Sequence, residues 1–493
     1  MKKGLGLFLR TIAFLLIFVI CLSAVSLIVE RKSSYIKNEM FFEEASKDHL
    51  DVLLFGSSHV INGINPLQLF EEQGFTSYNL GGFGSVLMSS YWQMELALEY
   101  CTPKLVVIDT YMLENDIRFV DDPNANVNSD ELHLNIDRFP LSKTKYAAVS
   151  DMFSARDKQY PFLFDFIVYH DRWKELNRDD FRRMTGTANI NKLMGAELEY
   201  GVHSAAYTYN DYGTGALAGE TVSTSYLRRL IEKCQSKGIE VAVVTLPFLA
   251  MEENQAAAHS ASQIASEYGV PEINMLEVGG LVDYNTDFMD PGHMNVLGSA
   301  KVTSYLGNWI SSNFDLPDHR EDSSYDEWHQ LIGEYNDDRQ DKVMGNEDLY
   351  SQGLFLNIEQ ANTSFVISIM GNSKSYYDEA FIRQLRSLGA GSELDKALSD
   401  KSPYLLISDH GQITEISGFE GGREIDTSNG SLYYEPVVDI YRVLRLGDDQ
   451  DTNYIYSEDY PYADIQLLFL EDGQITNHQY YICDNFSYNF AQQ

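Results

Sequence analysis

Three stretches of this 493-residue chain carry residue types and spacings suited to covalent chemistry. The first is Gly56-Ser57-Ser58-His59, which follows the apolar run Val52–Phe55. That run reads as a short buried strand, and the residues after the turn start like a helix. A serine at such a strand-to-helix turn stands at the carboxyl end of a sheet strand, where open α/β sheets bind their ligands. The helix N-terminus there favours developing negative charge. The second stretch is Asp290-Pro291-Gly292-His293. Its spacing lets the carboxylate reach the Nδ1–H of His293 and leaves Nε2 for a serine, as acyl transfer by serine requires. The third is Gly81, at the tip of the next strand, whose N–H can approach a reacting oxygen because glycine has no side chain. The Ser58 and Gly81 N–H groups would serve as oxyanion donors, each worth about 3–4 kcal/mol. Each feature alone is common in ordinary turns. Together they give Ser58 as nucleophile, His293 as general base and Asp290 as its orienter.

The elements that must position these residues follow from the apolar pattern. Thr76–Leu80 and Leu105–Asp109 read as further strands, separated from Val52–Phe55 and from each other by helical spacing at Leu67–Gln73 and Met88–Tyr100. After an interruption the alternation resumes with a helix at Ser225–Lys237, a strand at Ile239–Leu246, and helices at Ala256–Tyr268 and Val296–Asn313. The expected class is α/β: a three-layer α/β/α sandwich on a parallel sheet. Residues about 111–222 form the interruption, read as an inserted, partly helical subdomain. Its cluster Tyr169, His170, Arg172 and Trp173 suits either a sugar-binding cleft or the insert's own core with a polar rim.

Beyond 49–314, the strongly acidic stretch 315–349 reads as a linker with one exposed helix. Residues 350–493 read as a smaller α/β or β-rich accessory domain, with strands at Phe365–Met370 and Tyr404–Ser408 flanking a helix at Asp378–Leu388.

Charge and cysteine usage bound the partners. A formal net charge of −37 argues against nucleic acid or an anionic surface as a main partner. Cys21, Cys101, Cys234 and Cys483 are isolated, with no metal-ligand spacing and room for at most one disulfide among the last three. No Gly-rich nucleotide loop is present, so no cofactor and no metal are implied. Near the N-terminus, Thr11–Val29 is uncharged between basic flanks. At 1.5 Å per residue it spans ~29 Å, close to the thickness of bilayer hydrocarbon. A cleaved signal peptide is the rival reading, but Ser23-Ala24-Val25-Ser26 is a poor cleavage site. The expectation is a cytoplasmic tail and single anchor over 1–32, a stalk over 33–48, and the rest of the chain outside the cytoplasm.

The quoted motifs resemble those of the SGNH (GDSL-like) hydrolase superfamily. Gly56-Ser57-Ser58 looks like its first block with serine before the nucleophile, Asn79-Leu80-Gly81-Gly82-Phe83-Gly84 like NxGxxG, and Asp290–His293 like DxxH. With the N-terminal anchor, the pattern looks most like the DltD-type branch of cell-envelope acylation. One block departs: Asp109-Thr110-Tyr111-Met112 stands where GxND is expected, and Asn115 lies nearby at a different spacing. Asn115, Thr110 and Tyr111 are the candidates for a third oxyanion donor. The segment FVISIMGNSKSYYDEAFIRQLRSLGA resembles the interleukin-like EMT-inducer (ILEI) domain, which implies a binding module. The resemblance implies a serine esterase or O-acyltransferase acting on cell-envelope or exported polysaccharide, with a membrane-bound acyl donor protein as further partner of the transferase. A catalytically inactive scaffold that binds glycan or assists envelope assembly is the alternative, motivated by the missing third-block asparagine.

Overall fold

The computed structural model describes residues 2–29, 39–122, 129–137, 139–164, 166–182, 191–203, 206–344, 349–418, 421–438, 441–447, 454–455, 464–484 and 487–490. The chain divides into two compact units. The first comprises Met1–Leu198, Asn210–Gly279 and Val302–Leu331; the second comprises Glu199–Tyr209, Gly280–Lys301 and Ile332–Gln493.

The first unit is built on a parallel sheet of five strands: β1 (Val52–Phe55), β2 (Ser77–Asn79), β3 (Leu105–Asp109), β4 (Glu240–Thr245) and β5 (Glu272–Asn274). Their order is β2-β1-β3-β4-β5, the α/β class expected from the sequence. β1, β2 and β3 are buried at every position, as strands covered on both faces must be. Val52 pairs with Ser77 on one side and Leu105 on the other. The chain leaves β1 for β2 in one direction and then crosses to β3 in the other. The strand order therefore reverses at β1, and the carboxyl ends of β1 and β3 flank the crevice where such sheets bind ligands.

Helix boundaries in this unit follow from capping. Asn65 accepts the Leu67 N–H at the start of Pro66–Gln73, and Gly74 ends that helix in the left-handed region at φ 87°. Thr221 and Thr224 form a reciprocal capping box that starts Val222–Ser236. The acidic stretch after Asp315 is helical over Asp326–Met344. Its Trp328 is fully buried and donates Nε1–H to the buried Glu44 at 2.8 Å, while His319 contacts Asp51 at 2.9 Å. These contacts attach residues 315–331 to the first unit. Cys101 and Cys234 are free thiols, and burial pushes both up to about 12.

The second unit holds two antiparallel sheets. The larger runs β15 (Ser487–Phe490), β14 (Gln474–Asp484), β13 (Ile465–Glu471), β6 (Ser364–Ile369), β7 (Tyr404–Asp409) and β8 (Gln412–Ser417). The smaller runs β12 (Tyr454–Ile455), β11 (Tyr441–Leu446), β10 (Gly430–Val438) and β9 (Arg423–Thr427). Alternation along β6, β7 and β13 divides their side chains between two cores. Phe365, Ile367 and Ile369 face a cluster with Phe381 and Leu385 of the helix Glu379–Ser387. Val366, Leu405, Ile407 and Leu468 face Leu432, Tyr434, Leu444 and Leu446 of the smaller sheet. Of the two expectations for this region, the β-rich one describes it.

Candidate active site

Ser57 caps the helix Ser58–Gly63: its Oγ accepts the His59 N–H at 3.2 Å. Ser58 is the first helical residue and is half-buried, at the start of a helix that follows β1 by two residues. The turn is tight. A Cβ on Gly56 would lie 2.5 Å from Val60 Cγ2 and 2.8 Å from Asp109 Cβ, so only glycine fits between β1 and the end of β3.

The loop after β2 lies against this elbow. Leu80 N–H donates to Leu54 O and Gly82 N–H to Gly56 O, both at 2.9 Å. A Cβ on Gly81 would come within 2.8 Å of Ser57 O. Asn79 joins loop and helix, donating Nδ2–H to the Val60 carbonyl at 2.7 Å and the Ile64 carbonyl at 3.0 Å. Its Oδ1 also accepts the Gly81 N–H at 3.1 Å, so the expected oxyanion donor already has an acceptor. The sequence reading did not single out Asn135. Buried and carried by the helix Ser129–Ile136, it accepts the Phe83 N–H at 3.1 Å and donates to Phe83 O at 3.0 Å and Ser85 Oγ at 3.2 Å.

At the end of β3, Asp109 is buried and receives the Leu246 N–H at 3.1 Å. Burial pushes its carboxyl up to about 7, against backbone N–H donation from Leu246, Tyr111 and Thr110 that favours the anion. Thr110 and Thr245 share a hydroxyl hydrogen bond of 2.6 Å. His59, buried beside Ser58, stacks on Tyr111 at 3.6 Å between ring centroids and lies 5.0 Å from Phe248. Asn115 is turned to its own loop, its Oδ1 accepting the Ile117 N–H at 2.9 Å.

In the second unit, Asp290 and His293 form the expected dyad. His293 Nδ1 lies 2.8 Å from Asp290 Oδ2 and 3.0 Å from Oδ1. The same carboxylate accepts the backbone N–H of Gly292 at 2.8 Å and of His293 at 2.9 Å. Burial works to raise the Asp290 carboxyl, but the His293 hydrogen bond and the Gly292 N–H outweigh it and hold it at about 2. An Nδ1–H donated to carboxylate leaves Nε2 as the basic nitrogen. The loop around the dyad is pinned by buried Asn295, which donates to Thr286 O at 2.8 Å, and by the Lys301–Asp287 ion pair at 2.7 Å. Glu199 bridges to Asn295, and its carboxyl is raised by burial, with opposing effects of His293 and Asp290. No motif pointed to Glu199. Ser58 and Gly81 belong to the first unit; Asp290 and His293 belong to the second.

The aromatic cluster of the insert is divided. Tyr169 is buried and donates its hydroxyl to Asp137 at 3.1 Å, beside His133, which stacks on Phe162. His170 and Trp173 are exposed. Among the described residues, the one group of carboxylates spaced for a cation is Glu43, Glu44 and Glu327, and the Lys47 ammonium contacts all three. The second unit also carries an open polar cleft of about 860 Å³ whose lining includes Ser364, His410, Ser428, Asn429, Asp472 and Thr476.

No protein-family model and no curated protein matches the chain. Among solved structures, a two-domain esterase active on acetylated mannans aligns with a TM-score of 0.28 and 14% identity, over 60% of this chain and 57% of its own. A GDSL-like lipase from Bacteroides thetaiotaomicron aligns with a TM-score of 0.27 and 10% identity, over 57% of this chain and 100% of its own. Both likenesses are distant, and the chain spans little more than half of the first.

Proposed function

We propose that the chain is a membrane-anchored, extracytoplasmic serine esterase or O-acyltransferase of the SGNH type, acting on ester groups of cell-envelope or exported polysaccharide. The observation that carries this reading is Ser58 at the head of a helix, at the point where the strand order of the parallel sheet reverses. The hydrogen-bonded Asp290–His293 pair supports His293 as the proposed base. In the proposed reaction Ser58 Oγ attacks the acyl carbonyl carbon and gives its proton to His293 Nε2. The carbonyl oxygen becomes the oxyanion, held by the backbone N–H groups of Ser58 and Gly81. As the tetrahedral adduct collapses, the alcohol leaves with the proton from His293, and an acyl-serine remains. Water or a sugar hydroxyl then attacks the acyl group, with His293 acting first as base and then as acid. Asp290 keeps the imidazole in the productive tautomer.

The acyl-serine is common to hydrolase and transferase. Their outcomes differ in the cell: deletion removes esters from envelope glycan if the chain is a transferase and adds them if it is an esterase. The apolar helix Leu5–Ser26, exposed from Leu5 to Ser23 and with a mean hydropathy of 2.6, supports the anchor. A neutral glycan suits a chain of −37 better than a polyanion does. The polar cleft of the second unit would make that unit a binding module.

Ser58→Ala is expected to abolish both turnover of a chromogenic acetyl ester and labelling by a fluorophosphonate, with the fold unchanged by circular dichroism. Turnover that survives the substitution overturns the assignment. One observation favours the inactive scaffold instead: Asn79 already occupies the Gly81 N–H. Failure of the folded wild-type chain to react with fluorophosphonate would favour that second reading.

A further inference from the structure

Outside the N-terminal helix, the exposed large apolar side chains are not spread evenly. Tyr160, Phe164, Ile167, Trp173 and Phe181 fall within one short segment of the insert, each about half exposed or more. The segment comprises the helices Arg156–Leu163, Phe166–Tyr169 and Arg178–Arg182 and a 3-10 turn at His170–Lys174. Single exposed apolar residues are ordinary on a protein surface; a cluster of large ones marks an interaction site.

The neighbour of this segment indicates what it meets. Phe166–Tyr169, His170–Lys174 and Arg178–Arg182 all pack against the N-terminal helix Lys2–Val29. Arg172 donates from Nη1 to the carbonyl of Val29 at 2.9 Å, satisfying an end carbonyl of that helix and complementing its dipole. The same guanidinium pairs at 3.3 Å with the buried Asp180, which accepts the Asn177 N–H at 2.7 Å. One arginine of the 3-10 turn thus ties the last turn of the apolar helix to the helix Arg178–Arg182.

Exposure along the apolar helix sets the depth. Its residues are exposed from Leu5 to Ser23, Ala24, Ser26 and Ile28 are half-covered, and Val29 is buried. Leu5–Val25 would span ~31 Å at 1.5 Å per residue, enough to cross the hydrocarbon. Covering begins where that length is used up, at the level of the lipid headgroups. Charge is consistent with this placement. Residues 156–182 carry six basic side chains (Arg156, Lys158, Arg172, Lys174, Arg178, Arg182) and six acidic ones (Asp157, Asp165, Asp171, Glu175, Asp179, Asp180), in a chain whose net charge is −37. This balanced segment is not repelled by a leaflet as the whole chain would be.

The geometry points to residues 160–182 as an interfacial collar: the lipid leaflet around the foot of the anchor is its partner, with Phe164, Ile167, Trp173 and Phe181 seated between headgroups and acyl chains. The inference rests on reading the N-terminal helix as an uncleaved anchor. It takes Trp173 out of the glycan-binding set. It also gives the inserted subdomain a role: holding the first unit at a set height above the membrane.

The test uses the full chain reconstituted into vesicles of phosphatidylcholine and phosphatidylglycerol, with part of the phosphatidylcholine brominated near the headgroup end of its acyl chains. The chain has four tryptophans, so the difference between wild type and Trp173→Phe isolates the Trp173 emission. That difference signal is expected to fall at least twofold in brominated vesicles. Most of the quenching should be lost in the triple variant Phe164→Ser/Ile167→Ser/Phe181→Ser, whose substituted side chains are exposed. A chain that resists alkaline extraction while its Trp173 emission is unchanged by bromine overturns the collar alone. A chain extracted by alkaline carbonate overturns the anchor, and the collar with it.

Discussion

Asp109 in the first unit and Asp290 in the second are carboxylates driven in opposite directions. Asp109 is sealed at the end of β3, and burial raises it towards neutrality despite its N–H donors. Asp290 sits in a half-open turn where His293 and two backbone N–H groups favour its charge. Only the second can serve as a permanent anion that orients an imidazole. Asp290→Asn should lower kcat for an acetyl ester by about 10³–10⁴-fold, because an amide does not enforce the Nδ1–H tautomer. Its effect on folding should be small. The folded Asp290 carboxyl lies below its ordinary value of 3.8, so the stability it adds is fully present above about pH 4. That stability disappears as pH falls towards 2. With the side chain 41% exposed, solvent screening keeps it below about 1 kcal/mol. Thermal unfolding of wild type and Asp290→Asn at pH 7 and pH 3 checks this: the two Tm values should approach each other at the lower pH. A large Tm loss at pH 7 would make Asp290 a structural residue.

At the scale of elements, the Gly81-Gly82-Phe83-Gly84 loop depends on a side chain from a helix some fifty residues later. Asn135→Ala removes two hydrogen bonds to the Phe83 backbone and the contact with Ser85 Oγ. A lost hydrogen bond of this kind costs about 0.5–1.5 kcal/mol. The loop that carries Gly81 would also shift relative to Ser58, and a misplacement of about 1 Å can cost roughly 10²-fold in rate. The expected outcome is a modestly lower Tm with a disproportionate fall in kcat and little change in KM, measured on an acetyl ester. An equal loss of stability with kcat intact would confine Asn135 to packing. The glycine loop itself was legible, because NxGxxG is local and its glycines answer a close approach that sequence can signal. Asn135 was not, since it lies in a stretch without periodicity and its partner is distant. The same physics separates the strands. LVVID and EVAVVT are long apolar runs that must be buried, whereas β5 is three half-buried residues between Pro271 and a 3-10 turn, too short to show a period. In the second unit, FVISIM and YLLIS were legible as strands, but the same cannot be said of the unit's pairing. The division of that unit's strands between two sheets rests on pairings over long separations, such as Leu467 with Ile367, which no window of sequence contains.

For the molecule as a whole, the dominant physical quantity is its charge of −37. A field of that sign acts on substrates before any contact does, raising the effective KM of polyanions and leaving neutral glycans untouched. The field is screened over a Debye length of about 8 Å at 0.15 M salt. Paired measurements on an acetylated neutral glycan and an acetylated anionic glycan should therefore diverge with ionic strength. Raising salt from about 20 mM to about 300 mM should lower KM for the anionic substrate by about threefold or more, and change KM for the neutral one by less than about twofold. Values of kcat should hold for both, because the acyl group is the same in each case. KM for the anionic glycan that rises with salt would mean a locally basic cleft, and would make a polyanionic envelope polymer the better acceptor despite the overall charge.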